Sequence, residues 1–333
     1  MILQMFRYIT LSVVLMAALM LLSACSNSDD APTTTVPAET APQEVHFNAN
    51  VWQVMQGNRA STYDNQAALQ TEGHFTCAVY QANTTTPYIN TTTVDWNGDP
   101  TNKWLFSDGK HYWPATGNLD FFAYMPEAGS LPSYITSGPT YAVNGTPAPA
   151  PYFVCANLPM TNAGQEGLKE FIWALTPAQN KADQGASGVT MTFKHPFALI
   201  KFVIAEGSGT HVKVNSISIA DLHTGGKCTF NATGTTSTWD SHSGSKTMTI
   251  TPATPLKYGT ASTQTTLLMV IPNNYGSKTL TINGTWDDWS AVTKDLSTSV
   301  TLNWEPGCSY TYTLTITKYA LKVETEETFT EQW

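Results

Sequence analysis

Residues able to do chemistry are sparse in this chain, and their spacing argues against most reactions. Asp287 and Asp288 stand between Trp286 and Trp289, a pair of carboxylates beside rings of the kind that stack on sugars. Hydrolysis of a glycosidic bond needs the two carboxyl groups to flank that bond, whereas adjacent residues on a strand point to opposite faces. The quartet therefore reads as a polar turn between aromatic anchors. Gly225-Gly226-Lys227-Cys228 lacks the upstream glycine and the following Ser or Thr of a phosphate loop, and it reads as a turn as well. Gly-x-Ser-x-Gly, His-Glu-x-x-His and Cys-x-x-Cys do not occur, and the seven histidines are scattered without metal-ligand spacing. No catalytic residue, metal ligand or cofactor is expected, and the chain reads as a non-enzyme.

Two residues remain whose chemistry the context supports. The first is Cys25. Arg7 precedes an apolar run from Ile9 to Leu22 that only Thr10 and Ser12 interrupt. The run is short for a membrane span and suits the apolar region of a secretion signal. It ends in Leu22-Ser23-Ala24-Cys25, which resembles the lipobox of bacterial lipoproteins. Residues 1–24 are then a signal peptide, and Cys25 carries the lipid that attaches the chain to the outer membrane. The polar, acidic Ser26-Asn27-Ser28-Asp29-Asp30 and a Pro/Thr/Ala-rich spacer complete a flexible tether over 25–44. The second residue is Arg59. It is the only Lys or Arg between Cys25 and Lys103, and it sits in Gln56-Gly57-Asn58-Arg59-Ala60-Ser61. A small, polar stretch of this kind is a good site for proteolysis, and a protease specific for basic residues has one target there.

Composition limits what positions these residues. The chain has 333 residues, of which 41% are hydrophobic and 12% charged, against about 25% charged in ordinary domains. Its 16 basic and 25 acidic residues leave a net charge of -9, which argues against nucleic acid as a partner. Thr, Ser and Asn fill the deficit, as on the solvated faces of strands. Short alternating or apolar runs follow one another: Phe75 to Tyr80, Leu119 to Tyr124, Met191 to Phe193, Ala198 to Ala205, Val212 to Ile219, Thr265 to Ile271, Lys278 to Ile282 and Ser309 to Ile316. Ala198 to Ala205 reads as a strand buried on both faces. Val212, Val214, Ser216 and Ser218 are expected on one face, opposite Lys213, Asn215, Ile217 and Ile219. Asp108-Gly109, Gly225-Gly226, Asn283-Gly284 and Pro306-Gly307 punctuate the runs as turns. Only Gln165 to Leu175 suits a short helix. The expected class is all-β, of sandwich type. The polar stretch Pro177 to Gly188 suggests a boundary near residue 187, which divides the folded chain into domains over 45–187 and 188–333. Cys77, Cys155, Cys228 and Cys308 either pair within the halves, 77 with 155 and 228 with 308, or stay buried as free thiols; their apolar neighbours favour the thiols.

The order of several further motifs carries a family resemblance. Val45-His46-Phe47-Asn48-Ala49 precedes the Arg59-Ala60 step. Tyr112-Trp113-Pro114, Leu119 to Pro126, Phe193 to Ala198, Val270-Ile271-Pro272 and Trp304 to Tyr312 follow it. Together they make the chain similar to the fimbrillins, the lipoprotein-derived subunits of type V pili, over about residues 45 to 333. The resemblance implies two tandem transthyretin-like β-sandwich domains. It also implies cleavage after Arg59 by a trypsin-like protease and loss of the first strand together with the lipid anchor. A strand from the C-terminal end of another subunit then refills the vacated groove. The partners implied are other copies or related pilus subunits, the protease, the outer membrane and, for an adhesive fimbria, host glycans or proteins.

The residues fit these roles. Val45, Phe47, Ala49 and Val51 are in phase, with Trp52 and Val54 in the opposite phase, as in a strand with a bulge. Tyr319, Leu321 and Val323 alternate with Ala320, Lys322 and Glu324, and the tail keeps Phe329 and Trp333, so this end is either a donor strand or an ordinary last strand of its own domain. A surface glycan-binding lipoprotein using Trp286 and Trp289 is the alternative function.

Overall fold

In a computed structural model, residues 41–51, 65–98, 103–143, 149–184, 188–205, 212–257, 265, 267–286, 292–317 and 320–328 are described. Strands dominate them. The first half contains β1 (Phe47–Val51), helix α1 (Gln66–Glu72), β2 (His74–Gln81), β3 (Pro87–Trp96), β4 (Trp104–Phe106), β5 (Leu119–Met125), β6 (Ile135–Thr140), β7 (Tyr152–Cys155), helix α2 (Asn162–Gln165) and β8 (Ile172–Gln179). The second contains β9 (Val189–Phe193), β10 (Ala198–Ala205), β11 (Val212–Phe230), β12 (Ser237–Ile250), β13 (Leu256–Lys257), β14 (Leu268–Val270), β15 (Asn273–Trp286), β16 (Val292–Trp304), β17 (Ser309–Ile316) and β18 (Leu321–Thr328).

The first sheet has the order β8-β5-β2-β3-β4-β1-β9. It curls until its two ends meet, where Trp173 and Lys194 exchange backbone hydrogen bonds of 3.2 and 2.8 Å. Phe47, Phe75, Trp104, Phe121 and Phe193 fill its interior. Two further sheets, β14-β10-β17-β18 and β16-β15-β11-β7-β6, face each other across a second core that includes Ile200, Ile217, Ile282, Leu302 and Tyr312. A third, aromatic core holds Phe122 and Trp173 from the outside of the first sheet with Phe153, Phe230 and Phe197. Trp173 stacks on Phe230 at 4.6 Å and meets Phe153 edge-on at 5.0 Å. The fold is an all-β sandwich, as expected. The position near residue 187 falls between β8 and β9, and pairing crosses it in both directions: β9 joins β1, while β7 joins β11.

Local departures from the sequence reading have local causes. Gln165 to Leu175 is not a helix. α2 ends at Gln165, Gly167 takes a φ of +69°, and Ile172 onward forms β8 between β5 and Lys194. The bulky Phe171-Ile172-Trp173 run fills two cores as a strand, which a short solvated helix could not do. In β11 the register shifts between Val214 and Ser216. That bulge turns Val212, Val214, Ile217 and Ile219 all inward, where uninterrupted alternation would split them. Ala198 to Ile200 are buried on both faces, but Lys201, Val203 and Ala205 are half-buried, so β10 is doubly covered only at its start. Gly225-Gly226 and Asn283-Gly284 lie inside β11 and β15 rather than in turns. At Gly225 a Cβ would come within 2.7 Å of the Cys155 carbonyl, so the glycine permits a close approach by β7.

Candidate functional site: the slot of the first strand

β1 is an integral stave of the first sheet. Val45, Phe47, Ala49 and Val51 point inward with at most 9% exposure, and His46, Asn48 and Asn50 between them are half-buried. This is the phase read from the sequence. Phe47 supplies the largest contact, edge-on to Phe106 at 5.1 Å, Phe121 at 5.7 Å and Phe75 at 5.9 Å. Burying each large side chain of this kind is worth about 1.5–3 kcal/mol.

The backbone of β1 has a partner on each side. On one side Phe47 to Val51 run parallel to Val189 to Phe193 of β9. On the other, among the described residues, β4 pairs with β1 at Phe47 and Trp104. The segment entering β1 has anchors of its own. The Val45 amide donates to the His111 carbonyl at 2.8 Å, and the Trp113 amide to that of Gln43 at 3.0 Å. Lys110 lies 3.3 Å from the Glu44 carboxylate. The Gln184 side chain contacts Glu44, His46 and Trp113.

Gly188 makes the parallel contact possible. It has a φ of +93°, and a Cβ there would lie 2.5 Å from the His46 carbonyl oxygen. Gly188→Ala should therefore push β9 away from β1 and add the left-handed strain of an L-residue, about 1–2 kcal/mol before the clash is counted. An unfolding free energy lowered by at least that much, read as a lower denaturation midpoint at an unchanged m-value, is the expected result.

A buried carboxylate ties the end of β8 to the turn between β2 and β3. Asp120 is fully buried and accepts from the backbone amides of Ala178 (2.7 Å) and Asn83 (2.8 Å) and from the Tyr141 hydroxyl (2.6 Å). A lone Asp in the apolar run Leu119 to Tyr124 is the sequence signal that could have revealed it. Gln184 carries no such signal, because it lies in a polar stretch that reads as a linker.

The other candidate residues are placed as follows. Cys25, Trp52, Val54, Arg59, Ala60, Tyr319, Phe329 and Trp333 lie outside the described residues, as do Asp287, Asp288 and Trp289. β18 pairs antiparallel with β17 from Ile316 and Leu321 to Ser309 and Thr328. It forms an edge of its sheet, with Leu321 buried and Val323 packed against the second core. The site therefore has two separate parts, the slot of β1 and the edge strand β18. Trp286 is 1% exposed and has Lys294 over its ring at 4.5 Å, so it is a core residue and no open sugar platform. Cys77, Cys155, Cys228 and Cys308 are buried free thiols. Burial pushes the Cys155 thiol up to about 12 and also raises those of Cys77 and Cys228, which keeps them unreactive. Among the described residues no group of His, Cys, Asp and Glu could hold a metal ion.

Fold and register together define an all-β sandwich protein whose first strand lies between β4 and β9. The fimbrillin-like family model matches residues 59–333, and the chain belongs to that family. No curated protein matches the chain. Among solved structures, a putative cell adhesion protein from Bacteroides uniformis is 17% identical, with a TM-score of 0.49, over 86% of this chain and 98% of its own. A putative cell adhesion protein from Bacteroides ovatus is 16% identical, with a TM-score of 0.48, over 88% and 100%. The tip fimbrial protein Mfa3 from Porphyromonas gingivalis, truncated at its C-terminus, is 9% identical, with a TM-score of 0.43, over 85% and 99%.

Proposed function

We propose that this chain is the precursor of a structural subunit of a cell-surface fimbria, built by refilling the slot of β1. The precursor is exported as a lipoprotein, held at the outer membrane through Cys25 and the 25–44 tether, and cut after Arg59 by a trypsin-like protease. The halves 45–187 and 188–333 act as two sandwich domains with exchanged strands. The observation that carries this reading is the burial of Val45, Phe47, Ala49 and Val51 in a core, on a segment that the lone Arg59 follows closely in the chain.

The physical logic is one of effective concentration. While the chain is intact, β1 is covalently linked to its slot, and any competing strand must displace an intramolecular partner. Cleavage turns β1 into a free fragment whose rebinding depends on bulk concentration. Its departure exposes an apolar trough and unpaired groups on β4 and β9, which favour addition of a strand from another chain. The segment from Tyr319 to Trp333 of a second subunit is the proposed donor; in β18 its Leu321 and Val323 already point inward from a sheet edge. Host glycans or proteins are the proposed targets of the finished, adhesive fimbria. Incubation of the full chain with trypsin should give one N-terminal cut after Arg59 and a ladder of oligomers. A cut chain that remains monomeric would count against the reading.

A further inference from the structure

Gln184 is buried to 2% exposure, and its side-chain amide is held by the segment leading into β1 and by Trp113. Its Nε2 donates to the Glu44 carbonyl at 3.1 Å and lies 3.1 Å from His46 Nδ1. Its Oε1 accepts from the His46 backbone amide at 3.2 Å and from the Trp113 indole at 2.7 Å. The two contacts to the main chain have a definite meaning. In a parallel ladder a residue donates to the carbonyl before its partner and accepts from the amide after it. The Gln184 amide does this around Val45, in the place a backbone residue of β9 would take one step before the pair Phe47 and Val189. Opposite it, the segment 111–113 pairs with 43–45 through main-chain bonds.

We infer that Gln184, oriented by Trp113, is the polar end of the strand slot and holds the backbone of whichever strand occupies it. This rests on the proposal above that a strand of a second copy replaces β1. The recognition needs an extended chain with a free N–H and a carbonyl two residues apart, and it needs no particular side chain. An occupant shifted by one residue would turn its apolar residues away from the core, and an occupant ending short of this position would leave the buried Gln184 amide without its main-chain partners. Gln184 is thus a positioning residue for strand exchange. It makes the N-terminal end of the slot polar and exacting, while the rest of the slot is apolar and tolerant.

The test starts with the uncut full chain, in which hydrogen exchange is followed at the His46 amide. Gln184→Leu should speed that exchange about tenfold or more, as the loss of one or two net hydrogen bonds predicts, with the β17 amides unchanged. His46→Ala, which keeps the backbone, should change the exchange of its own amide by less than about threefold. Exchange at residue 46 as slow in Gln184→Leu as in the unsubstituted chain would overturn the inference. A rise shared equally by β17 would do the same, since Gln184 would then be an ordinary core residue. In a second arm, the chain cut after Arg59 and freed of its fragment is titrated with a synthetic peptide spanning residues 43–51. N-methylation of the peptide at position 46 should weaken binding about tenfold to the unsubstituted slot and add no further loss with Gln184→Leu. Equal losses in both would overturn the inference. If the cut chain takes up no peptide at all, the refilling reading fails, and the exchange arm still decides the role of Gln184.

Discussion

Replacing Phe47 by alanine should destabilise the uncut chain by about 3–5 kcal/mol, the usual cost of deleting a buried aromatic side chain, and yet leave the assembled fimbria as stable as before. The first half of this expectation follows from the environment of Phe47, which has no exposed surface and meets three phenylalanine rings edge-on. The second follows from its being discarded: once β1 has left, the slot of the mature subunit is lined by residues the substitution does not touch. Phe75→Ala is the control. Phe75 lies on β2 and packs against Phe47, Trp104 and Phe193, so it stays in the mature subunit and its loss should weaken precursor and polymer alike. Denaturant melts of the precursor set beside melts of the polymer separate the cases. If Phe47→Ala weakened both to the same extent, β1 would be a permanent part of the fold.

Arg59→Ala should abolish maturation at this end of the chain. Between Cys25 and Lys103 it removes the only Lys or Arg, so a protease specific for basic residues has no other bond there to cut. The substituted precursor should stay monomeric during an incubation that converts the unsubstituted chain to oligomers, and its lipid tether should stay attached. Arg59→Lys should restore cleavage by trypsin. Oligomers formed by Arg59→Ala at the unsubstituted rate would show that assembly does not require this cut.

Much of the fold was legible because strands leave a local signature. β10 and β17 begin and end where the apolar patterns of Ala198 to Ala205 and Ser309 to Ile316 do, and the inward phase of Val45, Phe47, Ala49 and Val51 could be read directly. What escaped was non-local. The parallel pairing of β1 with β9 joins segments about 140 residues apart, and neither pattern names its partner. A bulge in β11 reverses the phase as far as Ile219, where a second register shift restores it, so simple alternation puts Ile217 and Ile219 on the wrong face. Gly225-Gly226 resembles a turn, but close packing between strands selects the same residue as a tight turn does. The apolar run after Gln165 suits a helix or a strand equally by composition, and tertiary contacts decide. Of the candidate site, the apolar half of the slot was visible and the polar end was not. An isolated Gln such as Gln184 has no spacing partner, and its meaning arises only when Glu44, His46 and Trp113 converge on it.

Whether β1 is a temporary occupant can be settled by weighing what the cut chain contains. Native mass spectrometry of the chain after cleavage at Arg59 should find particles of two or more copies in which all filled slots lack the N-terminal fragment, with that fragment free in solution. A population of single chains, each still holding its own fragment after prolonged incubation at high concentration, would contradict strand replacement directly.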